Sequence, residues 1–126
     1  MASARTSSVG LSLGVGIFVL TVATAGIHLY LALTAIASMG FNFGVMLFIL
    51  NGLGYLGLLA VLQLPIRQLA RFRSAARWAL IVFAALTIVL FFIMAPKPYP
   101  ILGYVDKVIE VALIALLLAD AYTASS

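Results

Sequence analysis

Four ionisable side chains lie within stretches of this chain that are otherwise apolar. Asp106, Lys107 and Glu110 belong to the segment DKVIE, and His28 lies among alanine, leucine and isoleucine residues. A charged group is costly in hydrocarbon, so such a residue is protonated, paired with another group or in contact with water. These side chains can exchange protons or bind cations, which makes them the first candidates for a functional site.

The composition predicts that these residues lie in a membrane. Hydrophobic residues make up 66% of the 126 residues and charged residues 8%, whereas a soluble domain carries roughly 25% charged residues. The mean hydropathy is +1.29. The chain contains no cysteine, which excludes disulfides and thiolate chemistry within it.

Four apolar blocks, at about 9–38, 43–64, 75–95 and 101–122, are near or above the ~20 residues that a membrane-spanning helix needs. Lipid cannot hydrogen-bond a backbone, so these blocks predict helices. Their short connections predict an antiparallel bundle of four transmembrane helices that forms one domain over residues 1–126. The first block exceeds the ~7–15 apolar residues of a signal peptide, and we expect it to be retained. Pro96, Pro98 and Pro100 are expected to end the third helix.

A basic interfacial loop at 65–78 separates the second and third blocks. Its arginines are expected to bind anionic lipid headgroups, with Trp78 at the headgroup level; they are Arg67, Arg71, Arg73 and Arg77. The positive-inside rule places this loop in the cytoplasm. Four spans then place both termini there as well, in agreement with Arg5, and leave Lys97 outside. We expect a multi-pass protein of a prokaryotic plasma membrane.

Each predicted span places one polar side chain at a similar depth. At a rise of ~1.5 Å per residue, His28 and Glu110 lie about 15 Å and 14 Å below the outer edge of the membrane. Asn51 and Thr87 lie at about 12 Å and 10 Å. Small residues share the helix face of His28, and glycines flank Asn51, so these faces are expected to pack inward. The prediction is a cluster of His28, Asn51 and Glu110 inside the bundle.

The charged segment of the fourth block has two interpretations. Lys107 and Glu110 can pair locally, since they are three residues apart on a helix, while Asp106 and Lys107 can extend to water at the outer rim. Glu110 is too deep for this and is expected to face the interior. The candidate intramembrane site therefore comprises His28, Asn51, Thr87, Asp106, Lys107 and Glu110. For His28 alone, a hydrogen-bonded packing role is the first expectation.

Three functions remain open from the sequence. The leading expectation is a non-catalytic subunit or assembly partner of a larger membrane complex, with lipids, other subunits or a second copy as partners and no nucleic acid. The second is a small proton-coupled carrier that uses Glu110 and His28. The third is a haem- or quinone-binding protein, in which His28 is the ligand and Tyr30, Tyr55 and Phe91 line the cofactor. The sequence contains no nucleophile constellation, phosphate loop or dinucleotide fingerprint, so we expect no catalytic residue. His28, Asp106 and Glu110 show no metal-ligand spacing pattern, so we expect no metal site.

Overall fold

The chain folds entirely as helices in the part that the structure describes. This computed structural model describes residues 2–94 and 101–125, with side chains for 10–94 and 101–123. The elements are α1 (Ala2–Met39), α2 (Phe43–Gln63), a short 3-10 helix (Arg67–Phe72), α3 (Arg73–Met94) and α4 (Ile101–Ser125). The all-helical prediction is confirmed. Lys97 and the three prolines at 96, 98 and 100 lie outside the described residues.

Two helices begin earlier than the apolar blocks predicted. α1 begins at Ala2, because the alanine, serine and threonine residues before position 9 contain no helix breaker and a nucleated helix propagates through them. α3 begins at Arg73, so Arg77 and Trp78 belong to a helix and not to the loop. Alanine and arginine are good helix formers, which accounts for this extension.

The turn between α1 and α2 contains one residue that ends α1 and one that caps the beginning of α2. Gly40 has φ of +73°, a left-handed conformation that glycine adopts without strain, and its N–H donates to the Ile36 carbonyl at 2.9 Å. Asn42 then caps α2, because its Oδ1 accepts the N–H of Val45 at 2.9 Å. A connection this short makes α1 and α2 antiparallel neighbours.

The four helices form a closed ring around a common core. α2 lies between α1 and α3, and α4 lies between α3 and α1. The core is one cluster of buried side chains from all four helices: Ile17, Ala25, Tyr55, Leu59, Leu62, Ala76, Leu80, Ala84, Leu113 and Leu117. Gly52 lets α1 and α2 approach closely, since a Cβ there would lie 2.7 Å from Leu29 Cγ and 3.1 Å from the Ala25 carbonyl oxygen.

The outer surface of the bundle is apolar. Three stretches are long and apolar enough to cross a membrane: Gly10–Met39, Phe43–Gln63 and Arg67–Met94. Large hydrophobic side chains on them point outward, among them Phe18, Leu53 and Val82, which are more than half exposed. The chain is a multi-pass membrane protein. α4 differs from the other helices because it carries three ionisable side chains on its first turns.

Candidate functional site

All three ionisable side chains of the DKVIE segment face the interior of the bundle. Asp106 is 3% exposed, Lys107 6% and Glu110 0%. The sequence-based expectation placed Asp106 and Lys107 at the outer rim, and the structure differs. The rotation of α4 about its axis buries the whole segment against α1, and partners on three helices compensate the cost of that burial.

Lys107 joins the two carboxylates. Its Nζ lies 3.2 Å from Asp106 Oδ2 and also donates to Glu110 Oε1. The ammonium group lies over the ring of Phe91, 5.1 Å from its centroid, a distance at which the ring face attracts a cation. One ammonium group is therefore shared between two carboxylates.

Thr24 of α1 bridges the same carboxylates from the opposite side. Its Oγ1 lies 2.6 Å from Asp106 Oδ1 and 3.2 Å from Glu110 Oε2. A hydroxyl carries one hydrogen and can donate to one of these oxygens only. In the second contact the Thr24 oxygen therefore faces a carboxylate oxygen without a hydrogen between them, unless the carboxyl group is protonated or another cation is present.

His28 lies one turn after Thr24 on α1. Its Nδ1 lies 2.8 Å from the Thr24 carbonyl oxygen, and its Nε2 lies 3.5 Å from Asp106 Oδ2. The imidazole ring packs beside Phe48 and Tyr55, with centroids 6.1 Å and 6.0 Å away. Both ring nitrogens therefore face oxygen atoms, and a carbonyl oxygen can only accept.

Tyr55 of α2 completes the site from across the bundle. Its hydroxyl donates to Glu110 Oε2 at 2.6 Å, and its ring packs edge-on against Phe83 of α3 at 4.9 Å. We use the term polar cluster for the six side chains that these contacts connect: Thr24, His28, Tyr55, Asp106, Lys107 and Glu110. All of them are buried.

Asn51 and Thr87 form a separate pair. Asn51 Nδ2 donates to Thr87 Oγ1 at 2.8 Å, and that hydroxyl donates to the Phe83 carbonyl oxygen at 2.8 Å. Within the described residues, the hydrogen bonds of Asn51 reach neither His28 nor Glu110. Its Oδ1 is buried and has no hydrogen-bond partner in the described part of the chain. Of the three residues expected to cluster, the structure brings His28 and Glu110 together and links Asn51 to α3 instead.

Thr24 and Tyr55 were not included in the candidate intramembrane site, although Tyr55 was expected to line a cofactor. Both carried a weak signal in the sequence. Thr24 precedes His28 by four residues and therefore shares its helix face, and Tyr55 follows Asn51 by four. Threonine and tyrosine are ordinary residues in a membrane helix, so only their contacts with the carboxylates reveal the part they play.

The arginines at the other end of the bundle divide into two groups. Arg77 Nε lies 2.8 Å from Asp120 Oδ2, an ion pair that joins α3 to α4. Arg67 and Arg71 are exposed, and Arg73 Nη2 donates to the Leu64 carbonyl oxygen at 3.1 Å. Because the Asp120 carboxylate engages it, Arg77 is the least suited of the four to bind a lipid headgroup.

His28, Asp106 and Glu110 could each offer one ligand atom to a metal, and these atoms lie within 4.8 Å of one another. Lys107 contacts both carboxylates, so a metal ion must displace its ammonium group. A haem iron must likewise displace one of the oxygens that the two nitrogens of His28 face. Tyr30 is 58% exposed on the outside of the bundle, whereas Tyr55 is buried inside it.

Comparison with known proteins adds no family assignment. No protein-family model, no curated protein and no solved structure matches the chain.

Proposed function

We propose that this protein is a small proton-coupled carrier of a prokaryotic plasma membrane, in which the polar cluster binds and releases one proton. The observation that carries the proposal is the position of His28, with one nitrogen facing a carbonyl oxygen and the other facing a carboxylate.

Charge balance supports one exchangeable proton. With Asp106 and Glu110 as carboxylates, Lys107 as an ammonium and His28 neutral, the cluster holds one net negative charge. A net charge buried in a low-dielectric interior is strongly disfavoured. One added proton makes the cluster neutral, and Tyr55 and Thr24 supply hydroxyl hydrogen bonds in either state.

Hydrogen-bond geometry supports a location for that proton. Nδ1 of His28 must carry a hydrogen to donate to the Thr24 carbonyl oxygen. When the cluster binds the extra proton, the gap of 3.5 Å between Nε2 and Asp106 Oδ2 can hold it as a second imidazole hydrogen or as a carboxylic acid hydrogen. In both cases His28 and Asp106 share one proton, and losing it leaves a lone pair facing a carboxylate.

Proton uptake by the purified protein tests this proposal. The pH of the protein in detergent is lowered from about 8 to about 5, and the protons taken up per chain are counted. We expect Asp106→Asn to take up about one proton fewer than the wild type, because it removes the net negative charge, and His28→Gln to change the pH range of the uptake, because the charge remains without the imidazole. Asp120→Asn serves as the control, because this carboxylate lies in the Arg77 ion pair outside the cluster. Equal uptake by all four proteins contradicts the proposal.

Transport is measured separately in liposomes that enclose a pH-sensitive dye. A proton gradient is imposed, and candidate solutes are added on one side. We expect Glu110→Gln to abolish solute-dependent proton movement and Asp120→Asn to retain it. A cluster that binds a proton in detergent but supports no solute-dependent proton movement reduces the proposal to proton binding.

The subunit or assembly-partner function is a second candidate, supported by the outer surface of α2. Gly57 is exposed, with no atom within 4 Å of the position of a Cβ, and Leu50 and Leu53 beside it are 55% and 54% exposed. Glycine on an outward face allows close approach of another helix. If this face binds a partner or a second copy, Gly57→Leu removes a co-purifying chain or a dimer seen by native mass spectrometry.

A further inference from the structure

The arginine end of the bundle contains a groove on its outer surface. The groove lies between residues 10–18 of α1 and the end of α2, and its volume is about 400 Å³. It is lined by Gly10, Leu11, Gly14, Val15, Phe18 and Gln63. The lining is apolar except for Gln63, whose Nε2 donates to the Gly14 carbonyl oxygen at 2.8 Å. That donation occupies one N–H of the amide and leaves the groove largely hydrocarbon.

The dimensions of the groove fit an acyl chain. From Gly10 to Phe18 the helix rises about 12 Å, which is close to the ~15 Å thickness of one hydrocarbon leaflet. The groove exists because Gly10 and Gly14 have no side chains. A Cβ at Gly10 meets no atom within 4 Å, and one at Gly14 meets only Gln63 Nε2, at 3.8 Å.

Cationic side chains follow the groove residue Gln63 in the chain. Gln63 ends α2, and Arg73 Nη2 binds the carbonyl oxygen of the next residue, Leu64. The 3-10 helix that follows α2 exposes Arg67 and Arg71. Among the described residues, the arginine that forms an ion pair is Arg77. Arg67, Arg71 and Arg73, which follow the groove residue Gln63 in the chain, thus form no ion pair within the described residues.

We propose that this groove is a specific site for one anionic phospholipid, with an acyl chain between α1 and α2 and the phosphate bound by Arg67, Arg71 and Arg73. An open apolar groove whose residue Gln63 is followed in the chain by unneutralised guanidinium groups is complementary to a molecule with one acyl chain and one phosphate. The site does not depend on the proton proposal, since it shares no residue with the polar cluster.

Native mass spectrometry of the purified protein tests the site with added phosphatidylglycerol or phosphatidylcholine. We expect one phosphatidylglycerol to be retained more strongly than phosphatidylcholine. Arg73→Gln should weaken that retention by about fivefold, the effect of one surface arginine. Gly10→Leu should fill the groove and abolish retention of the bound lipid without entering the core. Gly26→Leu is the matched control, because it adds the same side chain to an equally open position of α1 outside the groove.

Each contrary outcome overturns a stated part of the proposal. Equal retention of the two lipids excludes recognition of the phosphate charge by the arginines. Unchanged retention in Gly10→Leu excludes the groove as the position of the acyl chain. Equal losses in Gly10→Leu and Gly26→Leu attribute the lipid to the general surface of α1. Circular dichroism of each variant establishes that the helices remain intact.

Discussion

At the residue scale, Lys107 allows two buried carboxylates to lie close together. Its ammonium contacts both Asp106 and Glu110 within an interior that has little water to solvate them. A buried charge that loses its partner is far more costly than a pair that is replaced as a whole. The three charged residues of α4 therefore form one energetic unit, and their contributions are not additive.

Lys107→Met should destabilise the protein by about 3–5 kcal/mol, since it leaves Asp106 and Glu110 without a counter-charge. The double variant Lys107→Met/Glu110→Gln should recover part of that loss, because only one carboxylate then remains. Denaturant titration in micelles, followed by circular dichroism, measures both values. Additive losses in the double variant are incompatible with a coupled unit.

Tyr55→Phe should destabilise the protein by about 1–3 kcal/mol, because Glu110 Oε2 loses a hydroxyl donor in a fully buried position. The ring remains and keeps its edge contact with Phe83, so the loss is confined to the hydroxyl group. Tyr30→Phe is the control, since Tyr30 is 58% exposed on the outer surface. Equal midpoints of unfolding for the two variants speak against a role for the Tyr55–Glu110 hydrogen bond.

At the scale of the helices, close packing of α1 on α2 positions both Thr24 and Tyr55. Gly52 allows this approach at the depth of Ala25, one residue from Thr24. Apolar blocks in the sequence predicted that α1 and α2 exist and are adjacent. Small residues beside His28 and the depth of Glu110 indicated which faces turn inward, but they could not predict that Asp106 and Lys107 are buried as well, because packing between helices decides how much of a face is covered.

Gly52→Ala should destabilise the bundle by about 1–3 kcal/mol, since its methyl group contacts the Ala25 backbone oxygen as well as Leu29. A leucine side chain can shift, but a helix backbone can do so only by moving α1. Gly57→Ala, on the open face of the same helix, should change the stability of the monomer by less than about 0.5 kcal/mol. The two midpoints of unfolding in micelles are compared directly, and no difference between them argues against tight contact at Gly52.

The dependence of side-chain burial on helix packing also explains which features of the site could be predicted from the sequence. Counting residues from the helix ends placed His28 and Glu110 at one depth, because rise per residue is fixed in a helix. The side chains of Asp106 and Lys107 were assigned to the rim, since their length allows it and nothing local prevents it. Their burial depends on Thr24 and His28, which are about 80 residues away in the chain.

At the scale of the whole molecule, we propose that α4 is a fourth span and that both termini lie in the cytoplasm with the 3-10 helix. Reporter fusions at Ser126 and at the 3-10 helix should then both give a cytoplasmic signal, because exposed Arg67 and Arg71 anchor that end. A fusion within 40–42 should report the opposite side. An external signal at Ser126 requires an odd number of spans and contradicts the proposal.

The charges of α4 also have a consequence for biogenesis. On leaving the ribosome, this segment presents Asp106, Lys107 and Glu110 to the translocon before their partners on α1 and α2 can reach them, and each charge at a helix centre opposes membrane entry by about 2.5–3.5 kcal/mol. Stable insertion of α4 is therefore expected to depend on helices that were synthesised first. In a glycosylation-mapping assay, α4 fused behind α1–α3 should integrate more completely than α4 alone, and Thr24→Val/His28→Leu should reduce that advantage. Equal integration in the two contexts means that α4 enters the bilayer on its own hydrophobicity.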